Sequence, residues 1–186
     1  MTTLPTVVFI TNRFSSVIET MFACPQLTLT GIVYYPLPGS ADRKLMSFVA
    51  EHDLPFFHTI QELARSDLPR PDFFAVYSLH KILTAEEIGF PKIATLNLHP
   101  SMLPLYKGKN PWQDQFADHV AQSGFTVHKI TADIDGGDIV LQKSYKLDYS
   151  LPPETIKNNA LKEIGGSLFC QAIIDFKSSE RSDKSR

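Results

Sequence analysis

The segment Asn97-Leu98-His99-Pro100-Ser101-Met102-Leu103-Pro104-Leu105-Tyr106-Lys107-Gly108 follows an apolar run, Ile93-Ala94-Thr95-Leu96, that has the character of a buried strand. Asn97 and His99 are two residues apart, so in extended backbone both side chains leave the same face. Pro100 and Pro104 exclude a helix directly afterwards and stiffen the exit loop. An amide and an imidazole are thereby presented together at the C-terminal end of a strand, where open α/β sheets build their sites. Downstream, Ala132-Asp133-Ile134-Asp135-Gly136-Gly137-Asp138-Ile139-Val140 adds the Asp135 carboxylate on a tight glycine turn. An amide can steady developing negative charge, an imidazole can move a proton near neutral pH, and a carboxylate can orient that imidazole. A lone histidine reads more simply as a satisfied core residue, and Asp before Gly as ordinary turn chemistry. Both motifs together, in this order, point to a site.

The elements that must position these groups are legible as strands alternating with helices. Residues 7–10 form a β-branched and aromatic first strand, and Thr11-Asn12-Arg13 the turn after it. Ser15 or Ser16 is the N-cap of a helix running to about residue 23. A second strand spans 27–35, a helix 41–52, a short strand 54–58 and a short helix 61–66. Residues 72–77 are the fourth strand. This order implies right-handed βαβ units and a largely parallel sheet. After the His99 loop, residues 112–121 have helical character. Strands at 124–129 and 139–147 have no helix between them and should pair antiparallel. A last helix is expected over 153–176, with a tail at 178–186 that lacks periodicity and reads as disordered. The reading is one α/β domain, 1–177, with a mostly parallel central sheet, an antiparallel C-terminal part and helices on both faces.

Composition narrows the function classes. With 18 basic against 20 acidic residues and no basic block, the chain lacks the electrostatic footprint of a nucleic-acid binder. No apolar run reaches membrane-spanning length, and the first residues lack a signal-peptide pattern, so a cytoplasmic protein is expected. Cys24 and Cys170 are isolated and read as reduced thiols. No metal-ligand spacing accompanies His99, His128 and Asp135, so no metal is expected. A serine nucleophile is disfavoured because no G-x-S-x-G elbow occurs.

The N-x-H-P-S-x-L-P pattern followed by D-x-G resembles the folate-dependent formyltransferase family, and the order of elements is similar along nearly the whole chain. The resemblance implies a Rossmann-like catalytic domain that moves the formyl group of 10-formyltetrahydrofolate onto a primary amine of a small-molecule acceptor. It makes Asn97, His99 and Asp135 the catalytic trio. It also places the folate between Leu79, His80, Lys81, Ile82 and Leu83 on one side and Ile130, Thr131, Ala132 and Asp133 on the other. Asn12, Arg13, Ser101, Lys107 and Gly108 are the candidate acceptor contacts, with Arg13 and Lys107 as anion-binding cations. In that scheme Asn97 and His99 stabilise the oxygen that gains charge. Asp135 holds the imidazole, raises its pKa and relays the amine proton. His128 stands in the strand before the Asp135 loop, either pairing with a site carboxylate or merely buried.

Departures from the family pattern concern the acceptor. Members acting on glycinamide ribonucleotide carry a glycine-rich phosphate loop after the first strand, where this chain has Thr11-Asn12-Arg13-Phe14-Ser15-Ser16. They also carry a glutamate in the last helix, for which the local match here is Gly165-Gly166, more like the transferases acting on methionyl-tRNA or amino sugars. A nucleotide-linked amino sugar is the expected acceptor, with glycinamide ribonucleotide a weaker candidate. The expectation is a catalytic domain without the C-terminal barrel of the tRNA-acting enzymes or the N-terminal regulatory domain of formyltetrahydrofolate hydrolases. Two rival outcomes use the same residues: hydrolysis to formate, and folate binding without turnover.

Overall fold

The structure, a computed structural model, describes residues 3–184. Seven strands form one sheet in the order β3-β2-β1-β4-β5-β6-β7. They are β1 (Thr6–Thr11), β2 (Thr28–Tyr34), β3 (Phe56–Phe57), β4 (Phe73–Val76), β5 (Ala94–His99), β6 (Gln122–Lys129) and β7 (Ile139–Lys146). β1 to β5 run parallel, whereas β5–β6 and β6–β7 pair antiparallel. The helices are α1 (Ser16–Phe22), α2 (Arg43–Glu51), α3 (Ile60–Arg65), α4 (Ala85–Ile88), α5 (Pro111–Ala117), α6 (Pro153–Ala160) and α7 (Gly166–Lys184).

Strand alternation divides the core into two layers. Val7 and Phe9 of β1 and Phe73 and Ala75 of β4 join the cluster under α1, α2 and α7. Val8, Ile10, Phe74 and Val76 face the opposite cluster with Ile60 and Leu63 of α3 and Leu83. Both central strands are therefore apolar at every inward position, as strands covered on two faces must be.

Several elements depart from the sequence reading. α4 is unanticipated, and a capping box makes it: Thr84 accepts from the Glu87 N–H while the Glu87 carboxylate takes the Thr84 N–H. α5 stops at Ala117 because His119 adopts a φ of 49° with its ring stacked on Tyr149 at 4.0 Å. The last helix is broken by a π-helical turn at Leu161–Gly165. α7 then continues past residue 178 to Lys184, where no Gly or Pro interrupts it and the Ser178 hydroxyl donates to the Ile174 carbonyl. The tail expected from the sequence at 178–186 thus begins within this helix, and Ser185 and Arg186 lie outside the described residues.

Gly165-Gly166 serves packing. A Cβ on Gly166 would lie 2.6 Å from the Thr20 side chain, so the glycine lets α7 close onto α1. Neither glycine lines the cavity described next.

Candidate active site

Asn97 and His99 end β5, which pairs antiparallel with β6, so Asn97 lies opposite His128 and His99 opposite Thr126. Directly opposed residues share a face. The Asn97 amide Nδ2 accordingly sits 3.0 Å from His128 Nε2. Asp135 comes from the β6–β7 connection. That connection folds back so tightly that a Cβ on Gly137 would collide with the Lys129 carbonyl, and Asp135 itself takes a φ of 48°. The turn sets the carboxylate between two imidazoles, with Oδ2 3.5 Å from His99 Nδ1 and Oδ1 3.5 Å from His128 Nε2. The loop after β5 closes the arrangement. The Tyr106 carbonyl lies 2.8 Å from His99 Nε2, and the Gly108 N–H donates to Asp135 Oδ2 at 2.8 Å.

Proton positions follow from the partners. A carbonyl oxygen only accepts, so His99 carries its proton on Nε2, toward Tyr106. By the same argument His128 carries its proton on Nδ1, 2.9 Å from the Lys129 carbonyl, and its Nε2 accepts from Asn97. His99 Nδ1 is then bare and faces a carboxylate, beyond hydrogen-bond length. Two acceptors that oppose each other across such a gap form a pocket prepared for a proton donor.

Burial pushes the His99 imidazole below its ordinary value and outweighs the pull of Asp135 in the other direction. Burial alone would raise the Asp135 carboxyl, but the flanking His128 and His99 rings, whenever one carries a second proton, and the Gly108 N–H hold it below the usual carboxylate range. At neutral pH the pair is a neutral imidazole beside an ionised carboxylate. The expectation that Asp135 lifts the imidazole into its charged form is thus corrected: the attraction exists, and desolvation is larger.

The cluster opens into a cavity of about 930 Å³. Leu79, His80, Lys81, Ile82, Leu83, Ile130, Thr131, Ala132 and Asp133 line it, as do Asn12, Arg13 and Gly108. Ser101 and Lys107 do not. Ser101 is fully buried with its hydroxyl on the Leu105 carbonyl, and exposed Lys107 yields its place to Lys109. Lining residues beyond the sequence reading include Asp42, Arg43, Lys44, Lys109, Glu154 and Lys157. The last two sit one helical turn apart near the start of α6, a spacing readable from the Pro152-Pro153-Glu154 helix signal.

The arm toward residues 79–83 and 130–133 has apolar walls from Val76, Leu83 and Ile130. Ile82 and Ile134 stand at its mouth, 76% and 63% exposed. Among the described residues, the amides of Ile82, Thr131 and Ala132 have no hydrogen-bond partner. Apolar walls with free backbone groups suit a flat heterocycle with donors and acceptors on its edge.

The opposite arm is different. In the loop after β1, the Asn12 N–H donates to the Ser78 carbonyl at 3.0 Å and the Arg13 N–H to Thr11 Oγ1 at 3.2 Å. The Phe14 N–H donates to Asp42 Oδ2 at 2.6 Å. Cationic side chains ring this arm: Arg13, Arg43, Lys44, Lys109 and Lys157.

Among the described residues, no group of three or more His, Cys, Asp or Glu side chains is arranged to hold a metal ion, and no helix is long and apolar enough to cross a membrane.

Residues 58–173 match the Formyl transferase family, and the chain belongs to that family. A methionyl-tRNA formyltransferase of Thermotoga maritima is 32% identical over 131 residues, covering 64% of this chain and 42% of the relative. The chain spans about half the length, or less, of such curated relatives. A phosphoribosylglycinamide formyltransferase from Brucella melitensis shares the fold with a TM-score of 0.76 at 21% identity, over 94% of this chain and 96% of that one. A formyltetrahydrofolate deformylase from Pseudomonas syringae does so with a TM-score of 0.78 at 17% identity, over 95% and 62%.

Proposed function

We propose that this chain transfers the formyl group of 10-formyltetrahydrofolate to a primary amine, with His99 as the base. The observation that carries the reading is the bare His99 Nδ1 facing ionised Asp135 at the floor of the cavity. When bound, 10-formyltetrahydrofolate supplies the formyl carbon and a nitrogen leaving group. Residues 79–83 and 130–133 hold it, through apolar walls and backbone amides.

As the acceptor nitrogen bonds to the formyl carbon, His99 Nδ1 takes its proton. Asp135 and the Tyr106 carbonyl steady the imidazolium that results. The proton then passes to the departing nitrogen as the carbon–nitrogen bond to the donor breaks. One Asn97 amide hydrogen is used on His128; the other serves the formyl oxygen as it gains charge. Losing one such donor costs other enzymes roughly 100- to 1000-fold in rate.

The acceptor reading rests on the other arm. The Asn12, Arg13 and Phe14 amides of its loop are occupied by the chain itself, and the Asp42 carboxylate sits where an anion held by that backbone would lie. The ring of cationic side chains instead suits phosphates held at the mouth. We therefore favour a nucleotide-linked amino sugar, with the amine at the cluster and the phosphates at Arg13, Arg43 and Lys44.

The test is a panel of amines (a nucleotide-linked amino sugar, glycinamide ribonucleotide, methionyl-tRNA) incubated with formyl-labelled 10-formyltetrahydrofolate. Label is expected in the amino sugar. Formate release at equal rate with and without amine would replace transfer by hydrolysis. Tight folate binding with neither product would make the chain a binding module.

A further inference from the structure

The turn that follows β5 touches both catalytic partners with backbone groups, the Tyr106 carbonyl on His99 and the Gly108 N–H on Asp135. Gly108 does so at a φ of 100°, natural for glycine; Tyr106 does so at a φ of 55°, a region that bulky L residues rarely enter. A conformation that disfavours itself must be held by its surroundings. The upstream end of the loop is pinned from inside. The Ser101 hydroxyl donates to the Leu105 carbonyl at 2.6 Å, and Gln115 Nε2 donates to the Pro100 carbonyl at 2.9 Å. Tyr106 is pinned from outside: its phenol donates to Asp118 Oδ2 at 2.9 Å, at the C-terminal end of α5. That bond also raises the phenol's pKa, so the donor stays protonated through the neutral range.

The hold on Tyr106 matters because two acceptors compete for the single ring proton of neutral His99. One is the Tyr106 carbonyl, 2.8 Å from Nε2; the other is the Asp135 carboxylate, 3.5 Å from Nδ1. A carboxylate is intrinsically the stronger acceptor, so the carbonyl wins only while it is held at the shorter distance. If the turn relaxes, the proton moves to Nδ1, bonds to Asp135, and the base is lost.

We propose that Tyr106 is a positioning residue that acts through its tether to Asp118, keeping the His99 proton on Nε2 and Nδ1 free to take a proton. The kinetic consequence rests on the formyl-transfer reading above; the tautomer itself does not. The groups facing the imidazole are Asp135 from the β6–β7 connection, His128 from β6 and the Tyr106 carbonyl.

The experiment is nitrogen NMR of the histidine rings in the full chain, with His99 assigned by its loss in His99→Gln. Single-turnover transfer is measured alongside. The wild type should show the Nε2–H tautomer. Tyr106→Phe and Asp118→Ala should move population to Nδ1–H, slow transfer about tenfold and leave the folate KM within about twofold, a smaller loss than the ~100-fold of a gross misplacement. Asp118→Asn, which retains an acceptor oxygen, should restore the wild-type tautomer and rate. Tyr106→Gly adopts the left-handed backbone without strain yet lacks the tether. It should fold normally and still shift the tautomer, which separates tethering from backbone tolerance. Retention of the Nε2–H tautomer in Tyr106→Phe, Asp118→Ala and Tyr106→Gly, with transfer within twofold of wild type, would overturn the proposal. A wild type that transfers no formyl group would defeat the functional reading while leaving the tautomer result to decide this one.

Discussion

The two arms of the cavity use their backbone in opposite ways. Among the described residues, the amides of Ile82, Thr131 and Ala132 have no partner, and Ile82 and Ile134 nearby are exposed. In the loop after β1, the amides of Asn12, Arg13 and Phe14 are all bonded within the chain, the last to a carboxylate from α2. A free backbone edge reads a ligand whose shape and hydrogen-bond pattern are constant. A saturated loop leaves recognition to exposed side chains, which vary freely. On the proposed reading, the donor arm is the generic half of this site and the acceptor arm its particular half.

The proposed catalytic floor lies between the arms, and breaking it should have the largest effect. His99→Ala removes the proposed base, and transfer should fall at least about 1000-fold while the far-ultraviolet spectrum stays native. Retention of a tenth of the rate would remove His99 from the mechanism. Asp135→Asn comes next, at about 100-fold, because the imidazolium loses its counter-charge. Losing the group that raises the imidazole's pKa should also move the acid limb of the rate profile to lower pH. An unmoved limb would uncouple the two residues.

On the donor arm, Ile134→Asp should raise the folate KM by about tenfold with kcat little changed, since the residue walls the mouth and touches no reacting atom. A folate-analogue complex with the heterocycle outside residues 79–83 and 130–133 would dismiss this assignment. On the acceptor arm the expected effect is smallest and of opposite sign. Glycinamide ribonucleotide should be a poor acceptor for the wild type. Asp42→Asn, which keeps an oxygen to cap α2 while removing the charge, should improve it by a few-fold, as one repulsion disappears. Micromolar KM and rapid turnover in the wild type would show that Arg13 holds the phosphate unaided.

The sequence made the sheet legible because β1 and β4 are apolar on both faces, and it made Asn97, His99 and Asp135 legible because proline and glycine punctuate them. It was silent where the site depends on register or on backbone. The Asn97–His128 contact requires β6 to run antiparallel to β5 in one register. Tyr106 acts on His99 through a carbonyl, which has no residue signature. Asp42 reaches Phe14 across 28 residues of sequence. Ser101 has a motif position, yet it is fully buried with its hydroxyl on the Leu105 carbonyl.

Burial of a neutral imidazole also predicts a stability effect. The unfolded chain takes up a proton at His99 near the ordinary histidine pKa of about 6.5, and the folded chain only at lower pH. Stability should therefore fall as pH drops below about 6.5, less so in His99→Gln, whereas the depressed Asp135 acts only below the usual carboxylate range. Thermal melts of both proteins at neutral pH and about one unit below 6.5 check this.

The most direct test of the central claim is the pH dependence of single-turnover formyl transfer by the wild type, with the acceptor amine saturating. A neutral His99 base beside ionised Asp135 predicts an acid limb with an apparent pKa below the ordinary histidine value of about 6.5, absent from the residual activity of His99→Ala. A limb above that value would contradict the lowered imidazole, and a rate that rises as pH falls would contradict the account by showing that the imidazolium is the working form.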